Sequence, residues 1–456
     1  METFKKGLAL SALSPTFQNA VATAKGLGIR YLWIDSLCII QDSMEDWRSE
    51  SGLMSSVYGH SILNIAILST KTRVGRLSDS LSNISSLICQ IKARWTDAAS
   101  EDCYIFEDSM WQDCVSFAPL NRRAWVLQER ILSKRILYIH ETQYFWECNQ
   151  QTACEVFPVQ MPPQMRCTPG KISHKEARPT IERIVVNHHD YRQDPYLFWA
   201  RVVEKYTLCE LTRAEDKLIA LSGLAQRVAA ITNDIYLAGL WARHLEVQLM
   251  WQVQDPPTAK FRVPVLPESP NYRAPSWSWA SVDGHALMRT PDTDEDILTL
   301  IEIVSADVKA ITGDRTGQVQ NGLITVTGVL IPAEYHLDAS RSSGGRLVVA
   351  SMGSSKEFNI FVDFDVHPNE AVEDLLCLPF FHYLLAEVDG VKGKAGVEGL
   401  VLCKNSRSSS CYFRVGVFSM YGRPLCQLAG LDFGDKQEGE MGQVSSSRPT
   451  QLLVIA

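Results

Sequence analysis

The sequence predicts an α/β domain with a parallel sheet, followed by a helical middle region and a β-rich C-terminal region. The first prediction starts from an almost continuous apolar run, Tyr31–Ile40, which is typical of a strand buried on both faces of a parallel sheet. Amphipathic patterns with helical spacing follow in the middle of the chain. From about Asp296, short runs with alternating apolar residues are separated by turn residues, which is typical of strands.

These patterns divide the 456 residues into five segments. They are an α/β domain over 1–156, a linker over 157–180, a helical region over 181–290, a β-rich domain over 291–433 and a largely mobile tail over 434–456. The linker is rich in proline, and the tail is polar with few apolar residues.

The N-terminal elements follow each other as helix, strand, helix and strand. A helix is predicted over Thr16–Leu27, because Ser14-Pro15 is a favourable helix start. After the strand Tyr31–Ile40, Asp42 is predicted to cap a second helix, and His60–Leu68 is predicted to form a second strand. This order makes a βαβ unit, which favours a parallel sheet with a right-handed crossover.

The rest of the chain gives helix and strand patterns that we list by type. Helices are predicted over Asn121–Leu132, Phe198–Tyr206, the segment from the capping box Thr212-x-x-Glu215 to Ala230, and Tyr236–Trp251. Strands are predicted over Ile136–Ile139, Tyr144–Cys148, Leu323–Leu330, Arg346–Ala350, Phe358–Phe364, Gly399–Leu402 and Tyr412–Phe418. Trp277 and Trp279 alternate as on a strand, and either core packing or stacking on a ligand fits this pattern.

Composition limits the classes of function. The net charge of -8 and the pI near 5.7 argue against nonspecific nucleic-acid binding, which requires a basic face. No apolar stretch is long enough to span a bilayer, and the N-terminus lacks the apolar core of a signal peptide. The 12 cysteines are scattered, which favours reduced thiols in a cytoplasmic protein. We expect no bound metal and no resident cofactor.

Two carboxylates lie on elements that are predicted to be buried. Asp35 interrupts the apolar run, and Glu50 lies at the edge of the apolar stripe of the next helix. Burial of a charge is unfavourable unless the charge is paired or used for chemistry. Glu50 is therefore either a catalytic acid or the partner of an arginine such as Arg122 or Arg123. Asp35 either contacts a ribose hydroxyl at the end of a strand or holds the following loop.

The polar side of the helix predicted over Asn121–Leu132 adds further candidates. They are Arg123, Gln128 and Glu129. A bidentate pair of Arg123 with Asp35 or Glu50 would join the two parts of the sequence in one site. A salt bridge that only locks the domain is the alternative.

The strings that carry these residues resemble those of a known family. YLWIDSLCIIQDSMEDWRSESGLMSSVY from Tyr31 and PLNRRAWVLQERILSKRILYI from Pro119 resemble the fungal heterokaryon-incompatibility (HET) domain. The strings LTRAEDKLIALSGLA, YLAGLW and APSWSWASVDG resemble those that usually follow this domain. Several separated matches in the same order make this resemblance specific.

The resemblance implies a fold and an activity. The HET domain is related to the Toll/interleukin-1 receptor (TIR) fold, a flavodoxin-like α/β domain, and some TIR domains cleave NAD with a glutamate close to an aromatic residue. Trp47-x-x-Glu50 is similar to that arrangement. The resemblance therefore implies Glu50 and Asp35 as catalytic residues. It implies that the NAD-binding residues are Trp47, Gln41, Arg123, Gln128 and Glu129.

The resemblance also implies a role and partners. Such proteins act in nonself recognition when unlike hyphae fuse, and they trigger cell death. NAD is then a substrate, and the partners are other proteins or further copies of the chain. A non-enzymatic interaction scaffold is the alternative. Family members usually begin with a strand that carries a Ser-Tyr-x-Trp-Gly type string, so we expect the sheet to lack its first strand and to expose an edge, as in a truncated gene model or an inactive relative.

Overall fold

A computed structural model describes most of the chain as two compact units. The described residues are 7–69, 89–93, 101–162, 165, 194–254, 258–259, 265–290, 297–337, 345–350, 357–368, 371–384, 395–404, 411–421, 431–432, 445–446 and 449–456. The first unit comprises Met1–Gln193 with Cys209–Leu211, and the second comprises Asp194–Leu208 with Thr212–Ala456. Most of the predicted linker, 157–180, lies outside the described residues.

Four α-helices lie in the described part of the first unit. They are α1 (Pro15–Gly26), α2 (Asp35–Cys38), α3 (Met44–His60) and α4 (Ala124–Leu132). Shorter helical segments are the 3-10 turns Leu10–Ala12 and Pro119–Arg122 and the π-helical segment Gln112–Ser116. The prediction of α1 is confirmed, and Ser14 caps it by accepting a hydrogen bond from the Phe17 N–H. The cap of α3 is Ser43, which accepts from the Asp46 N–H, so the prediction of Asp42 as the cap is wrong by one residue.

The strand predicted over Tyr31–Ile40 does not form. Residues 29–34 have no regular secondary structure, and α2 follows directly. The side chain of Tyr31 is 80% exposed and that of Leu32 is 36% exposed, so the run is not buried on two faces. Asp35 changes the backbone direction, because its carboxylate accepts the Ser36 N–H at 2.7 Å and so favours a helical turn.

The sheet of the first unit has one parallel pair of strands. Its strands are β1 (Asn64–Ile67), β4 (Arg135–Ile139), β5 (Tyr144–Cys148) and β6 (Thr152–Cys154), in the order β1-β4-β5-β6. β1 and β4 are parallel, and the other neighbours are antiparallel. The predicted strands at 60–68, 136–139 and 144–148 are thus confirmed with shifted ends. The predicted βαβ unit is wrong. Residues 31–40 are described and form no strand, and β1 pairs with the later strand β4.

A separate hairpin and an apolar core complete the first unit. The hairpin pairs β2 (Cys89–Ala93) with β3 (Glu101–Ile105). The core lies on the sheet, where Trp111 contacts Tyr138 and Phe145 edge-to-face. This core fixes β4 and β5, and with them the residues of α4 that precede β4.

The helical region of the second unit is shorter than predicted. Its α-helices are α5 (Pro195–Tyr206), α6 (Ser222–Thr232) and α7 (Leu245–Gln248), and its 3-10 turns are Ala214–Asp216, Ile219–Leu221 and Trp279–Ser281. The prediction of α5 is confirmed. The capping box at Thr212 precedes a 3-10 turn, and α6 begins only at Ser222.

The helix predicted over Tyr236–Trp251 is mostly a hairpin. The strands β7 (Tyr236–Leu237) and β8 (Leu240–Trp241) flank Ala238 and Gly239, whose φ angles are 46° and 102°. Such positive angles are typical of the tight turns that join two antiparallel strands. Only α7, at 245–248, keeps helical structure within the predicted range.

The β-rich region contains a closed barrel. The small strands before it are β9 (Gln252–Gln254), β10 (Thr258–Ala259), β11 (His285–Leu287) and β12 (Ile297–Thr299). The barrel strands, in their order around the ring, are β15 (Ile331–Leu337), β16 (Gly345–Ala350), β17 (Glu357–Phe364), β21 (Cys411–Tyr421), β20 (Ala395–Lys404) and β19 (Val372–Leu384). All six neighbouring pairs are antiparallel, and β20 closes the ring by pairing with both β19 and β21.

Further strands extend the sheet beyond the barrel. They are β13 (Glu302–Ala310), β14 (Val319–Val329) and β24 (Thr450–Ile455), and the short strands are β18 (His367–Pro368), β22 (Leu431–Asp432) and β23 (Ser445–Ser446). β24 pairs with both β14 and β21. Ile455 is fully buried, so the expected mobility of 434–456 does not hold for β24. Trp277 and Trp279 are fully buried too, which favours core packing over ligand stacking.

Candidate functional site

A large cleft lies in the first unit beside the outer strand β1. Its volume is about 1390 Å³. It is lined by α1 with the residues 29–35 that follow it, and by β1 with the C-terminal half of α3. Side chains from the 3-10 turn at 119–122 and from α4 also line it. The cleft therefore brings together most of the segments that the sequence marked as candidates.

Four polar side chains from three separate segments line this cleft. They are Asp35 at the start of α2, Tyr58 in the last turn of α3, and Arg123 and Glu129 before and in α4. Tyr58 lies close to the Glu129 carboxyl group, and each of the two residues shifts the pKa of the other. We call these four residues the carboxylate cluster.

Burial strongly changes the acidity of Glu129. The residue as a whole keeps some exposed surface, whereas its carboxyl group is almost fully enclosed. This loss of hydration raises the pKa of Glu129 from 4.5 to about 7, and the negative charge of Asp35 acts in the same direction. The nearby Tyr58 hydroxyl and the charge of Arg123 oppose the rise. The carboxyl group is therefore poised near neutral pH, as expected of a general acid or base.

Tyr58 is held as a neutral phenol. Burial is the main cause that raises its pKa, and the charge of Glu129 adds to it. Its ring also meets Trp33 edge-to-face, with the ring centroids 5.9 Å apart. A neutral phenol at this position is suited to donate a hydrogen bond toward Glu129. Tyr58 was not among the candidate residues, although a buried tyrosine hydroxyl usually needs a partner.

A buried ion pair supports the cluster from the floor of the cleft. Arg130 donates two hydrogen bonds to Glu147, with Nε–Oε2 at 2.8 Å and Nη2–Oε1 at 3.1 Å. Tyr138 donates a third to the same carboxylate at 2.5 Å. Arg130 follows Glu129 directly on α4, so this bidentate pair fixes the helix turn that presents Glu129.

Glu50 does not belong to the carboxylate cluster. It lies on α3, eight residues before Tyr58, and a helix rises about 1.5 Å per residue, so the two are roughly 12 Å apart along the axis. The side chains that line the cleft do not include Glu50. Within the described residues, no ion pair joins Arg123 to Asp35 or to Glu50, so the expected bidentate bridge is wrong. The bidentate arginine pair of this unit is Arg130–Glu147 instead.

Asp35 lines the cleft, but not as a buried strand residue. It is exposed, and its carboxylate accepts the N–H of Ser36. The expectation of a buried acid in mid-sheet is therefore wrong. Its charge nonetheless reaches Glu129 and Tyr58, because it raises the pKa of both.

The other predicted ligand-binding residues lie outside the lining of the cleft. Trp47 packs edge-to-face on Trp125 with the ring centroids 6.2 Å apart. Gln41 donates hydrogen bonds to the carbonyls of Ile39, at 3.0 Å, and of Asp35. Gln128 is 1% exposed, on another side of α4 from Glu129. Structural contacts thus account for Trp47 and Gln41.

No group of three or more histidine, cysteine, aspartate or glutamate side chains in the described part of the chain is arranged to hold a metal ion. None of the helices within the described ranges is both long enough and apolar enough to cross a membrane.

The fold and the cleft define a two-unit protein whose α/β unit carries a carboxylate cluster and whose other unit carries a β-barrel. Residues 2–129 match the family described as Heterokaryon incompatibility protein (HET). This match lies in the N-terminal part of the chain and agrees with the resemblance that the sequence motifs indicated. The match ends at Glu129 and so includes the whole carboxylate cluster. No curated protein and no solved structure matches the chain.

Proposed function

We propose that this protein acts in heterokaryon incompatibility, as an effector that triggers cell death by cleaving NAD in the cleft of its HET domain. Two things support this proposal: the family match over residues 2–129 and the carboxylate cluster. The observation that carries the activity is the enclosed carboxyl group of Glu129, whose pKa is raised to about 7 beside an open cleft. This acid takes the role that the sequence resemblance assigned to Glu50.

The proposed reaction breaks the bond between the ribose C1 and the nicotinamide nitrogen. The bonding electron pair leaves with nicotinamide, which becomes neutral, and the ribosyl group gains positive charge. Water then adds to C1 and loses a proton, which gives ADP-ribose. A carboxylate close to C1 stabilises the cationic transition state, as it does in glycoside hydrolysis. The ionised form of Glu129 supplies that charge and accepts the proton of the water.

The remaining cluster residues have distinct proposed roles. Asp35 is at the exposed side of the cleft, where its carboxylate is suited to accept a hydrogen bond from a ribose hydroxyl. Arg123 is also exposed, and its guanidinium is suited to the pyrophosphate. Tyr58 lies beside the Glu129 carboxyl group, and its neutral phenol is suited to donate a hydrogen bond to the ionised carboxylate.

The test is nicotinamide release from NAD by the purified full chain, measured by chromatography at pH 6 and pH 8. We expect faster release at pH 8, because Glu129 is mostly ionised above its pKa of about 7. Glu129→Gln should lower the rate about 100-fold, which is typical for loss of one transition-state contact. Glu50→Gln is the matched control and should keep the wild-type rate. Absence of nicotinamide from the wild type, even after the protein is clustered artificially, rules out NAD cleavage.

A second candidate function is a non-enzymatic interaction scaffold. The observation that favours it is the apolar rim of the cleft, where Tyr31 is 80% exposed, Ile62 71% and Leu53 50%. Exposed apolar side chains gathered around one cleft are typical of a protein-binding surface. In this case the carboxylate cluster only stabilises the domain, and Glu129→Gln leaves cell death unchanged in a fungal expression assay.

A further inference from the structure

A segment from much later in the chain contacts the candidate site through its backbone. Cys209–Leu211 belongs to the first unit, although it follows the other residues of that unit in the sequence. Glu210 forms a parallel β-bridge with Arg123 of the carboxylate cluster. The Glu210 N–H donates to the Arg122 carbonyl at 2.6 Å, and the Glu210 carbonyl accepts from the Ala124 N–H at 2.9 Å. We call Cys209–Leu211 the strap.

The two hydrogen bonds of the strap hold the backbone on both sides of Arg123. The N–H of Arg123 itself donates to the Leu120 carbonyl at 3.2 Å, and its carbonyl accepts from the Val126 N–H at 3.1 Å. The 3-10 turn at 119–122 and α4 therefore supply the partners of Arg123, whereas the strap supplies the partners of its two neighbours. All the backbone groups around this residue are thus engaged, and half of their partners come from one distant residue.

The strap takes the place of a helix cap. The first N–H groups of a helix have no partner within the helix, and among the described residues no side chain caps the start of α4. Ala124 is only 1% exposed, so its N–H is shielded from water, and the Glu210 carbonyl is its acceptor instead. Loss of the strap would leave this buried N–H unpaired at the start of the helix that carries Glu129, which is unfavourable.

The strap also maintains a break between two helical segments. The 3-10 turn ends at Arg122 and α4 begins at Ala124, so Arg123 alone separates them. Its φ and ψ angles are -73° and 131°, which is extended, whereas ψ is about -42° in an α-helix. A change of ψ at this one residue would join the turn to the helix and redirect the chain on which the Arg123 side chain is carried. The bridge to Glu210 opposes that change, because a β-bridge pairs extended backbone.

The conformation of Arg123 matters for the carboxylate cluster. Arg123 lines the cleft together with Glu129 and Tyr58. Burial raises the pKa of both of these residues, and the charge of Arg123 opposes the rise in each. The Arg123 side chain is exposed, so the hydrogen bonds of its backbone are what fix the point from which the guanidinium extends. The family match ends at Glu129, and the strap therefore lies outside it.

We propose that the strap is a positioning element of the candidate site, in which the backbone of Glu210 holds Arg123 extended and so directs its guanidinium to the phosphate groups of the ligand. The inference rests on the proposed function for the identity of that ligand. A guanidinium pairs with two phosphate oxygens only in a defined orientation, so its direction affects affinity. Because the strap acts through main-chain groups, this role does not depend on the exposed Glu210 side chain.

The test compares two variants that both remove the Glu210 carboxylate. Glu210→Pro also removes the N–H that donates to the Arg122 carbonyl, whereas the matched control Glu210→Ala keeps both backbone hydrogen bonds. The probe is ADP-ribose, and its binding to the full chain is measured by isothermal titration calorimetry. We expect Glu210→Pro to bind about tenfold more weakly, as for the loss of one charged contact, and Glu210→Ala to bind like the wild type.

A double variant distinguishes positioning from general destabilisation. Arg123→Gln should also weaken the binding of ADP-ribose about tenfold. If the strap acts through Arg123, the double variant Glu210→Pro/Arg123→Gln should bind no more weakly than Arg123→Gln alone. Additive losses would show that the strap does not act through Arg123 and would overturn the proposal. Equal affinity of Glu210→Pro and the wild type would overturn it as well.

A second readout needs no ligand. The titration of the Glu129 carboxyl group is followed by carbon NMR in the full chain. Glu210→Pro and Arg123→Gln should each raise the pKa of Glu129, because the opposing charge of Arg123 is displaced or removed, and Glu210→Ala should leave it unchanged. If this titration behaves as expected but the wild type does not bind ADP-ribose, the proposal of NAD cleavage fails while the positioning of Arg123 by the strap stands.

Hydrogen exchange of the wild type decides the matter if Glu210→Pro does not fold. The Ala124 amide should then be protected as strongly as the amides inside α4, because the Glu210 carbonyl accepts its hydrogen bond. Fast exchange at Ala124, as in an uncapped first turn, would overturn the proposal.

Discussion

The raised pKa of Glu129 makes the stability of the first unit depend on pH, and one substitution isolates this effect. Glu129→Gln keeps the size of the side chain but removes the ionisable group. The folded protein holds the Glu129 proton up to a pKa of about 7, whereas an unfolded glutamate releases it near 4.5. Stability is therefore lost as the pH rises from about 4.5 through about 7.

The size of the effect follows from the pKa shift. A rise from 4.5 to about 7, at about 1.4 kcal/mol per pH unit, corresponds to roughly 3 kcal/mol between pH 4.5 and pH 8. The carboxyl group is enclosed, so solvent screening reduces this figure only in part. We expect the free energy of opening around α4 to fall by about 2–3 kcal/mol between pH 5 and pH 8 in the wild type. In Glu129→Gln this fall should be absent.

Hydrogen exchange measured by mass spectrometry on the peptide that carries 124–132 gives this free energy. The exchange rates are corrected for their intrinsic dependence on pH, so the remaining slope reports proton release by the protein. Glu50→Gln removes a carboxylate from the same unit at a position outside the cleft lining, and should keep the wild-type slope. Equal slopes in the wild type and Glu129→Gln would refute the reasoning that burial controls the acidity of this group.

Two further substitutions, one in each unit, test side-chain packing inside that unit by calorimetric unfolding. Gly239→Ala should destabilise the second unit by about 2–4 kcal/mol. The φ angle of Gly239 is 102°, and an added Cβ would lie 2.6 Å from the Trp279 indole nitrogen. The control is Gly313→Ala, because the added Cβ there would meet open space. Glu147→Gln should destabilise the first unit by about 3 kcal/mol, because it leaves the Arg130 guanidinium buried without its charge partner. A transition temperature within one degree or so of the wild type would contradict either expectation.

Local patterns predicted those elements whose side chains alternate between a core and water. β4 and β5 are examples, because apolar residues at every second position bury one face of each strand against the core. α1 was predictable from its serine cap and proline start. In the second unit, four of the six barrel strands, β16, β17, β20 and β21, followed from β-branched alternation, whereas β15 and β19 were not predicted. Their closure into a ring depends on contacts between distant strands, which a single sequence does not encode locally.

The apolar run Tyr31–Ile40 illustrates why the remaining predictions failed. A run without alternation is compatible with a strand between two layers, but it is equally compatible with a wall of a cleft. In the structure the residues 29–34 line the cleft, and Tyr31 stays 80% exposed. Periodicity reports which residues are apolar, and it does not report what they face.

The hairpin at 236–241 failed for a different reason. Its leucines and tryptophan have helical spacing, and the only local sign against a helix is Gly239. The tertiary structure uses this glycine twice, because its carbonyl accepts the indole N–H groups of Trp199 at 2.8 Å and of Trp279 at 2.9 Å. Two buried tryptophans thus select a turn at this position over the helix that propensity favours.

The choice between Glu50 and Glu129 shows the same limit at the candidate site. Both acids are on helices near arginines in the sequence, and the family resemblance pointed to Glu50 through its spacing from Trp47. Acidity is set by hydration and by nearby charges, and Asp35 and Tyr58 reach Glu129 only after α3 and α4 pack together. Spacing therefore selects candidates, whereas tertiary packing decides which candidate gains a pKa suited to chemistry near neutral pH. For this reason the pH dependence of Glu129, compared directly with Glu50→Gln, is the measurement that separates the two acids.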